Sequence, residues 1–351
     1  MTDEPEIICE VRGAAGHVLL NRPKALNALN LPMVRELTRA LDAWERDPAV
    51  TRIVVEGAGG KAFCAGGDIR TLHDLGKAGR HAEMLSFWRE EYLLNLRIQS
   101  YSKPYVSLVD GIVMGGGVGL SLHGSHRVAG ERYLFAMPEV GIGFFPDVGA
   151  TYALPRLPGA AGVYLALTGD RIGQGDAVAL GIASHAVGSA RIAELSQALT
   201  GPEPVETILA AFAAEPGEVK LAASALVIAD CFGAETLQEL IAALERQAGE
   251  GDAFAAKTLA TLRTKSPTSV AIAFEQMRRG GALDFADAMA TEFRVVSRIA
   301  HGHDFYEGVR AVLVDKDQSP VWQPATIEAV DPAAVAAHFA PLGPDELLPG
   351  R

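Results

Sequence analysis

The sequence predicts an α/β core followed by a region in which helix dominates, and three observations carry that expectation. Short strand-like runs alternate with helix-periodic stretches through the first half of the chain. From about residue 190 the composition turns to Ala, Leu and other good helix formers, and glycine-rich turns thin out. At 351 residues, with 49% hydrophobic and 21% charged side chains, the chain has the balance of a globular protein with a substantial core. Disordered and fibrous classes are set aside on that ground.

The elements follow in order. Gly16 to Asn21 (GHVLLN) and Thr51 to Glu56 (TRIVVE) are strand candidates. Between them Pro32 to Arg46 carries Met33, Leu37, Leu41 and Trp44 on one helix face, which makes a β–α–β beginning. The helical stretch Ala82 to Ile98 leads into a third run, Pro104 to Val109 (PYVSLV), after which Gly111 to Gly119 is expected to break into a turn. Ile208 to Ala213, Glu235 to Arg246 and Phe254 to Thr264 are helices by the same periodicity. Pro324, Pro332, Pro341, Pro344 and Pro349 punctuate a C-terminal arm that wraps the surface. The expected divisions are a core over 1–190, a helical region over 191–330 and the arm over 331–351.

A formal net charge of -12 speaks against nucleic acid or an anionic membrane as partner, since either calls for a basic face. Three cysteines without paired spacing, Cys9, Cys64 and Cys231, suggest neither a disulfide framework nor a zinc site, and so a reducing interior. The acidic start MTDEPEIICE has neither a signal-peptide nor a transit-peptide pattern, and the expectation is a cytoplasmic protein. The most apolar run, Tyr105 to His123, holds Asp110 and five glycines and reads as buried core, not as a membrane span.

Several motifs fail on inspection. GIVMGGGVGLSLHG (Gly111 to Gly124) lacks the glycine at Leu120 or Leu122 that a dinucleotide fingerprint needs. Lys61 follows Gly60, but Ala62 and Val55 stand where a phosphate-binding loop needs Ser or Thr and Gly. A serine nucleophile elbow would need glycine at His123, so Ser121 is read as structural. His123 and His126 have no carboxylate beside them in a metal-binding pattern, and no metal is expected. His81-Ala82-Glu83 lacks the later P-C-x-x-C of a zinc deaminase.

Three stretches remain: KAFCAGGDIR (Lys61 to Arg70), GIVMGGGVGLS (Gly111 to Ser121) and MPEVGIGFFPDVGA (Met137 to Ala150). The first two place small-residue turns where backbone N–H groups can face a pocket, and two such donors on one oxygen make an oxyanion hole. The alternative is that the glycines merely permit tight turns. RPKALNAL (Arg22 to Leu29), AFCAGGDI (Ala62 to Ile69) and GIVMGGGVGLS resemble the successive motifs of the crotonase, or enoyl-CoA hydratase/isomerase, superfamily. Within it, WREEY (Trp88 to Tyr92), the segment from Met137 to Leu157, SPTS (Ser266 to Ser269) and HDFYEGVRAVLVDKDQSPVW (His303 to Trp322) look like a thioester-hydrolase branch.

The resemblance implies a crotonase-like spiral of ββα repeats with a helical C-terminal region. It also implies an acyl-CoA substrate, with CoA as part of that substrate, no separate cofactor, and a possible homo-oligomer. The activity implied is hydrolysis of a branched 3-hydroxyacyl-CoA thioester of valine breakdown. Carried onto this chain, it implies that the N–H groups of Ala65 and Gly116 hold the thioester oxygen. It further implies that Glu139 attacks the carbonyl or activates a water, and that Asp147 takes the substrate hydroxyl. Glu91, Gly67, Asp68, Gly115, Lys24 and Leu26 are placed along the substrate, with Asp68 ordering its turn. Arg22, Lys24 and Arg70 are candidates for the CoA phosphates, with ordinary surface roles as the alternative.

Hydratases of the superfamily carry a glutamate where this chain has Gly119, and adding water across a double bond calls for an acid and a base on one face. The competing chemistry is an enoyl-CoA isomerase or hydratase that uses Glu139 alone; a non-catalytic acyl-CoA binder is the third possibility. The competing structural roles are a helix cap for Glu139, a Pro-Asp-x-Gly turn for Asp147 and a solvated helix face for Glu91.

Overall fold

In the computed structural model the described residues are 4–348; Pro349, counted above in the arm, lies outside them, as do the first three residues of MTDEPEIICE. Nine strands are formed among the described residues: β1 (Ile7–Arg12), β2 (Ala15–Leu20), β3 (Arg52–Gly57), β4 (Ala62–Cys64), β5 (Tyr105–Val109), β6 (Ile112–Met114), β7 (His126–Ala129), β8 (Leu134–Ala136) and β9 (His185–Ala186). They build two sheets, one ordered β1-β2-β3-β5-β7-β9 and the other β4-β6-β8. Only the β1–β2 hairpin is antiparallel; the other pairings are parallel. From β3 onward successive strands alternate between the sheets, and a helical stretch separates each pair, which is the ββα spiral.

Two compact units interleave along the sequence. One comprises Met1–Asp68, Leu93–Ala136 and Arg171–Lys220; the other comprises Ile69–Tyr92, Met137–Asp170 and Leu221–Arg351. They do not follow the linear order of the three expected segments.

Both sheets belong to the first unit. All five residues of β5 are buried, as expected for a central strand covered on both faces. Val54, Val106, Leu108 and Val128 pack with Leu195, Leu199, Ile208, Leu209 and Phe212 from the helices Ile192–Ala198 and Val205–Phe212. Each such side chain contributes about 1.5–3 kcal/mol through removal from water. The helix Leu31–Arg46 starts where the Asn30 side chain accepts the Met33 N–H at 3.0 Å, and it buries Met33, Val34, Leu37, Leu41 and Trp44. The stretch Gly111 to Gly119 is not simply a turn: it holds β6 and the first residues of a helix, Gly116–Ser121. Strands of two to four residues are too short for an alternating pattern to reveal.

The second unit is mostly helical. Ser266 caps the helix Pro267–Gly280 by accepting the Ser269 N–H at 3.1 Å, and its hydroxyl donates to Asp304 Oδ2 at 2.6 Å. The segment after Met137 is clasped by this unit. Trp88 stacks on Phe144 with ring centroids 5.4 Å apart, Phe305 lies 5.7 Å from Phe144, and the Ser266 N–H donates to the Val140 carbonyl. Gly143, at φ +71°, runs so close to Asp304 that an added Cβ would lie 2.0 Å from its carbonyl oxygen. The C-terminal residues dock on the same unit: Val335, Phe339 and Leu347 are buried, and Arg294 pairs with Glu346 at 2.8 Å. No helix among the described residues is long and apolar enough to cross a membrane.

Candidate active site

In the first unit the RPKALNAL stretch organises the loop that follows β4. Asn27 is fully buried and left-handed at φ 58°; its amide donates to the Ala58 and Ala62 carbonyls at 3.0 and 2.9 Å and accepts the Arg22 N–H at 3.0 Å. Leu29 bridges Gly67 in parallel, giving its N–H to the Gly66 carbonyl at 2.8 Å and taking the Asp68 N–H at 2.7 Å. In such a bridge the N–H and carbonyl of the central residue, Gly67, point away from Leu29.

This arrangement corrects one expectation. The Ala65 N–H donates to the Leu26 carbonyl at 3.0 Å, so it is committed within the fold and is not available to a thioester oxygen. In this loop the Gly67 N–H is turned away from Leu29. The Gly116 N–H opens its helix, where no intrahelical acceptor exists. Both loops leave the carboxyl ends of adjacent parallel strands, β4 and β6, the customary place for ligands in open α/β sheets. A Cβ on Gly66 would come within 4.0 Å of the Gly115 Cα, and one on Gly117 within 2.3 Å of the Cys64 carbonyl oxygen, so the loops lie side by side.

A second correction concerns Arg22. Its guanidinium pairs with Glu6 at 2.8 Å and Asp68 at 3.0 Å and donates to the Ala28 carbonyl at 2.6 Å, a clasp within the first unit. Arg22 is thereby one partner of Asp68. Lys24 and Arg70 are exposed. Gly119 lies in the Gly116–Ser121 helix and contributes no side chain.

The acids of the second unit are buried together. Glu91 is 2% exposed, Glu139 7% and Asp147 5%, and two residues that the sequence did not single out join them: Tyr92 and Glu292, both at 0%. The Tyr92 hydroxyl donates to Asp147 Oδ2 at 2.8 Å. Glu292 accepts the N–H groups of Gly149 and Thr151 at 2.8 and 2.9 Å. Glu139 begins a short 3-10 turn behind Pro138, makes no cap, and its Oε2 has no hydrogen-bond partner; the same holds for Glu91 Oε1. The cap reading for Glu139 and the solvated-face reading for Glu91 are therefore excluded.

Burial is the first cause that raises every carboxyl of this group, because a low-dielectric surrounding disfavours the charged form. The charge of Asp147 adds to the rise for Glu91, Glu139 and Glu292. Glu292 is pushed up to about 8, and Glu91 and Glu139 well above the ordinary range. The Tyr92 hydrogen bond opposes the rise at Asp147 by stabilising its anion. Buried acids shifted by desolvation and like charge mark a candidate site for proton transfer or nucleophilic attack.

A family model described as enoyl-CoA hydratase/isomerase matches residues 15–339. A 3-hydroxyisobutyryl-CoA hydrolase, mitochondrial, from Xenopus laevis is 47% identical, covering 95% of this chain and 89% of its own length. The protein of the same name from Homo sapiens is 44% identical, covering 97% and 90%. A solved structure titled as a carnitinyl-CoA dehydratase from Mycobacterium thermoresistibile superposes with a TM-score of 0.93 at 41% identity, covering 99% of this chain and 100% of that one. One titled as an enoyl-CoA hydratase from Rhodobacter sphaeroides 2.4.1 gives 0.91 at 42%, covering 98% and 100%. The relatives are named as mitochondrial proteins, which overturns the cytoplasmic expectation.

Proposed function

The chain belongs to the enoyl-CoA hydratase/isomerase family, and from that premise we propose that it hydrolyses (S)-3-hydroxyisobutyryl-CoA to 3-hydroxyisobutyrate and CoA, a step of valine breakdown. The curated relatives carry that activity in their names, whereas the two solved structures carry lyase titles. Chemistry decides between them. Dehydration and hydration ask for an acid and a base on one face of the substrate, and Gly119 supplies neither. Thioester hydrolysis asks for two hydrogen-bond donors on the carbonyl oxygen and one group that attacks the carbon or activates water.

In this reading the N–H groups of Gly67 and Gly116 hold the thioester oxygen and take up the negative charge of the tetrahedral intermediate. Glu139 acts on the carbonyl carbon, directly or through water, and Asp147 accepts a hydrogen bond from the 3-hydroxyl. The single observation that carries it is the buried Glu139 with its partnerless Oε2, set among acids that keep its proton affinity high. A carboxylate so placed is a stronger base than an exposed one once ionised, and water-poor surroundings leave it weakly solvated.

Glu139→Gln tests the reading. Thiol release from the substrate is expected to fall by about 10²–10⁴-fold in kcat. Circular dichroism is expected to show a fold and melting temperature no worse than the parent, because a buried acid has become neutral. Near-normal turnover would reject the role of Glu139.

A further inference from the structure

We propose that Tyr92 and Glu292 are the positioning residues of Asp147 and thereby set a preference for 3-hydroxyacyl thioesters over thioesters that lack the hydroxyl. The inference rests on the reading that Asp147 receives that hydroxyl, and it asks what holds the carboxylate still.

The backbone around Asp147 is under strain. Val148 has φ +53°, a left-handed conformation that a β-branched residue adopts at a cost, and Gly149 follows at φ +90°. Strain of this kind persists only where surrounding contacts over-determine it. Here they do so on both sides. Gln276 donates to the Pro146 carbonyl ahead of Asp147 and to the Thr151 hydroxyl at 2.7 Å beyond it. Glu292 takes the Gly149 and Thr151 N–H groups, one on each carboxylate oxygen. The segment 146–151 is thus pinned through its backbone while the Asp147 side chain remains to be oriented.

Tyr92 supplies the orientation. Its hydroxyl donates to Oδ2 and so fixes the direction in which the carboxylate faces a substrate hydroxyl. Burial and the surrounding acids raise the Tyr92 phenol well above its ordinary range, which keeps it a donor. Glu91, Asp147 and Glu292 lie close enough for the charge of Asp147 to raise the other two, and burying three acids together costs stability that an apolar core would not lose.

The test compares kcat/KM for (S)-3-hydroxyisobutyryl-CoA with that for isobutyryl-CoA, read as a ratio in the parent and three variants. Asp147→Asn is expected to lower the ratio by about tenfold or more, the loss expected for a hydrogen bond to a charged group. Tyr92→Phe and Glu292→Gln are each expected to lower it by about 2–10-fold, through a rise in KM that is larger for the hydroxylated thioester than for isobutyryl-CoA. General loosening would depress both substrates alike and leave the ratio unmoved. A ratio unchanged in either positioning variant overturns that residue's role while Asp147→Asn still moves it. An Asp147→Asn ratio equal to the parent's would instead sink the hydroxyl assignment on which the inference rests. Should Glu292→Gln melt near the assay temperature, its ratio is taken well below that melt, and Tyr92→Phe remains an independent arm.

Discussion

Glu91, Glu139, Asp147 and Glu292 are buried carboxyls, and among the described residues none of them forms an ion pair with a basic side chain. A protonation cost follows. Glu292 titrates near pH 4.3 in an unfolded chain and at about 8 in the folded one, so the folded state holds its proton more tightly. Its contribution to stability is complete below the unfolded value and is lost as pH rises through the folded one. The melting temperature is therefore expected to fall between pH 5.5 and 8.5, and Glu292→Gln is expected to flatten that slope whatever its absolute stability. Equal slopes in scanning calorimetry would contradict the assignment. At this scale Glu139 and Asp147 stand out in the sequence as acids among glycines, prolines and apolar side chains, whereas Glu91 is an expectation from the resemblance alone. Glu292 carried a weaker signal, a glutamate on the buried stripe of Phe285, Ala288, Met289, Val296 and Ile299. Tyr92 carried none, since its partner lies 55 positions away. The direction of the Ala65 N–H was equally invisible, because the bridge between Leu29 and Gly67 decides it.

At the scale of elements, the helix that opens at Gly116 is held against β4 by the absence of side chains. Gly117→Ala would ordinarily favour a helix by about 1 kcal/mol, but its Cβ would meet the Cys64 carbonyl oxygen at 2.3 Å, and overpacking of that kind costs about 1–3 kcal/mol. The clash is expected to win. The variant should melt lower and lose at least tenfold in kcat as the Gly116 N–H shifts; unchanged turnover would show that this loop tolerates displacement. The long helices were legible from periodicity: Leu31–Arg46 and His81–Gln99 lie within a residue or so of the expected bounds. The strands β4, β6, β8 and β9 were not, because two or three residues carry no alternation.

For the molecule as a whole, the class of fold was readable from alternating elements and ordered motifs, while the interleaving of two units was not. It depends on contacts that bring Ile69–Tyr92, Met137–Asp170 and Leu221–Arg351 into one body, and local composition does not encode them. In the proposed reading the donors Gly67 and Gly116 are residues of the first unit and the acids are residues of the second. The central claim is that the protein cleaves a thioester and does not hydrate an alkene. The direct measurement is a paired assay of the purified protein: free thiol from (S)-3-hydroxyisobutyryl-CoA, and loss of enone absorbance from a 2-enoyl-CoA at the same concentration. The account predicts stoichiometric thiol release from the first and no absorbance loss from the second above the uncatalysed rate. Enone loss without thiol release from either substrate would contradict it.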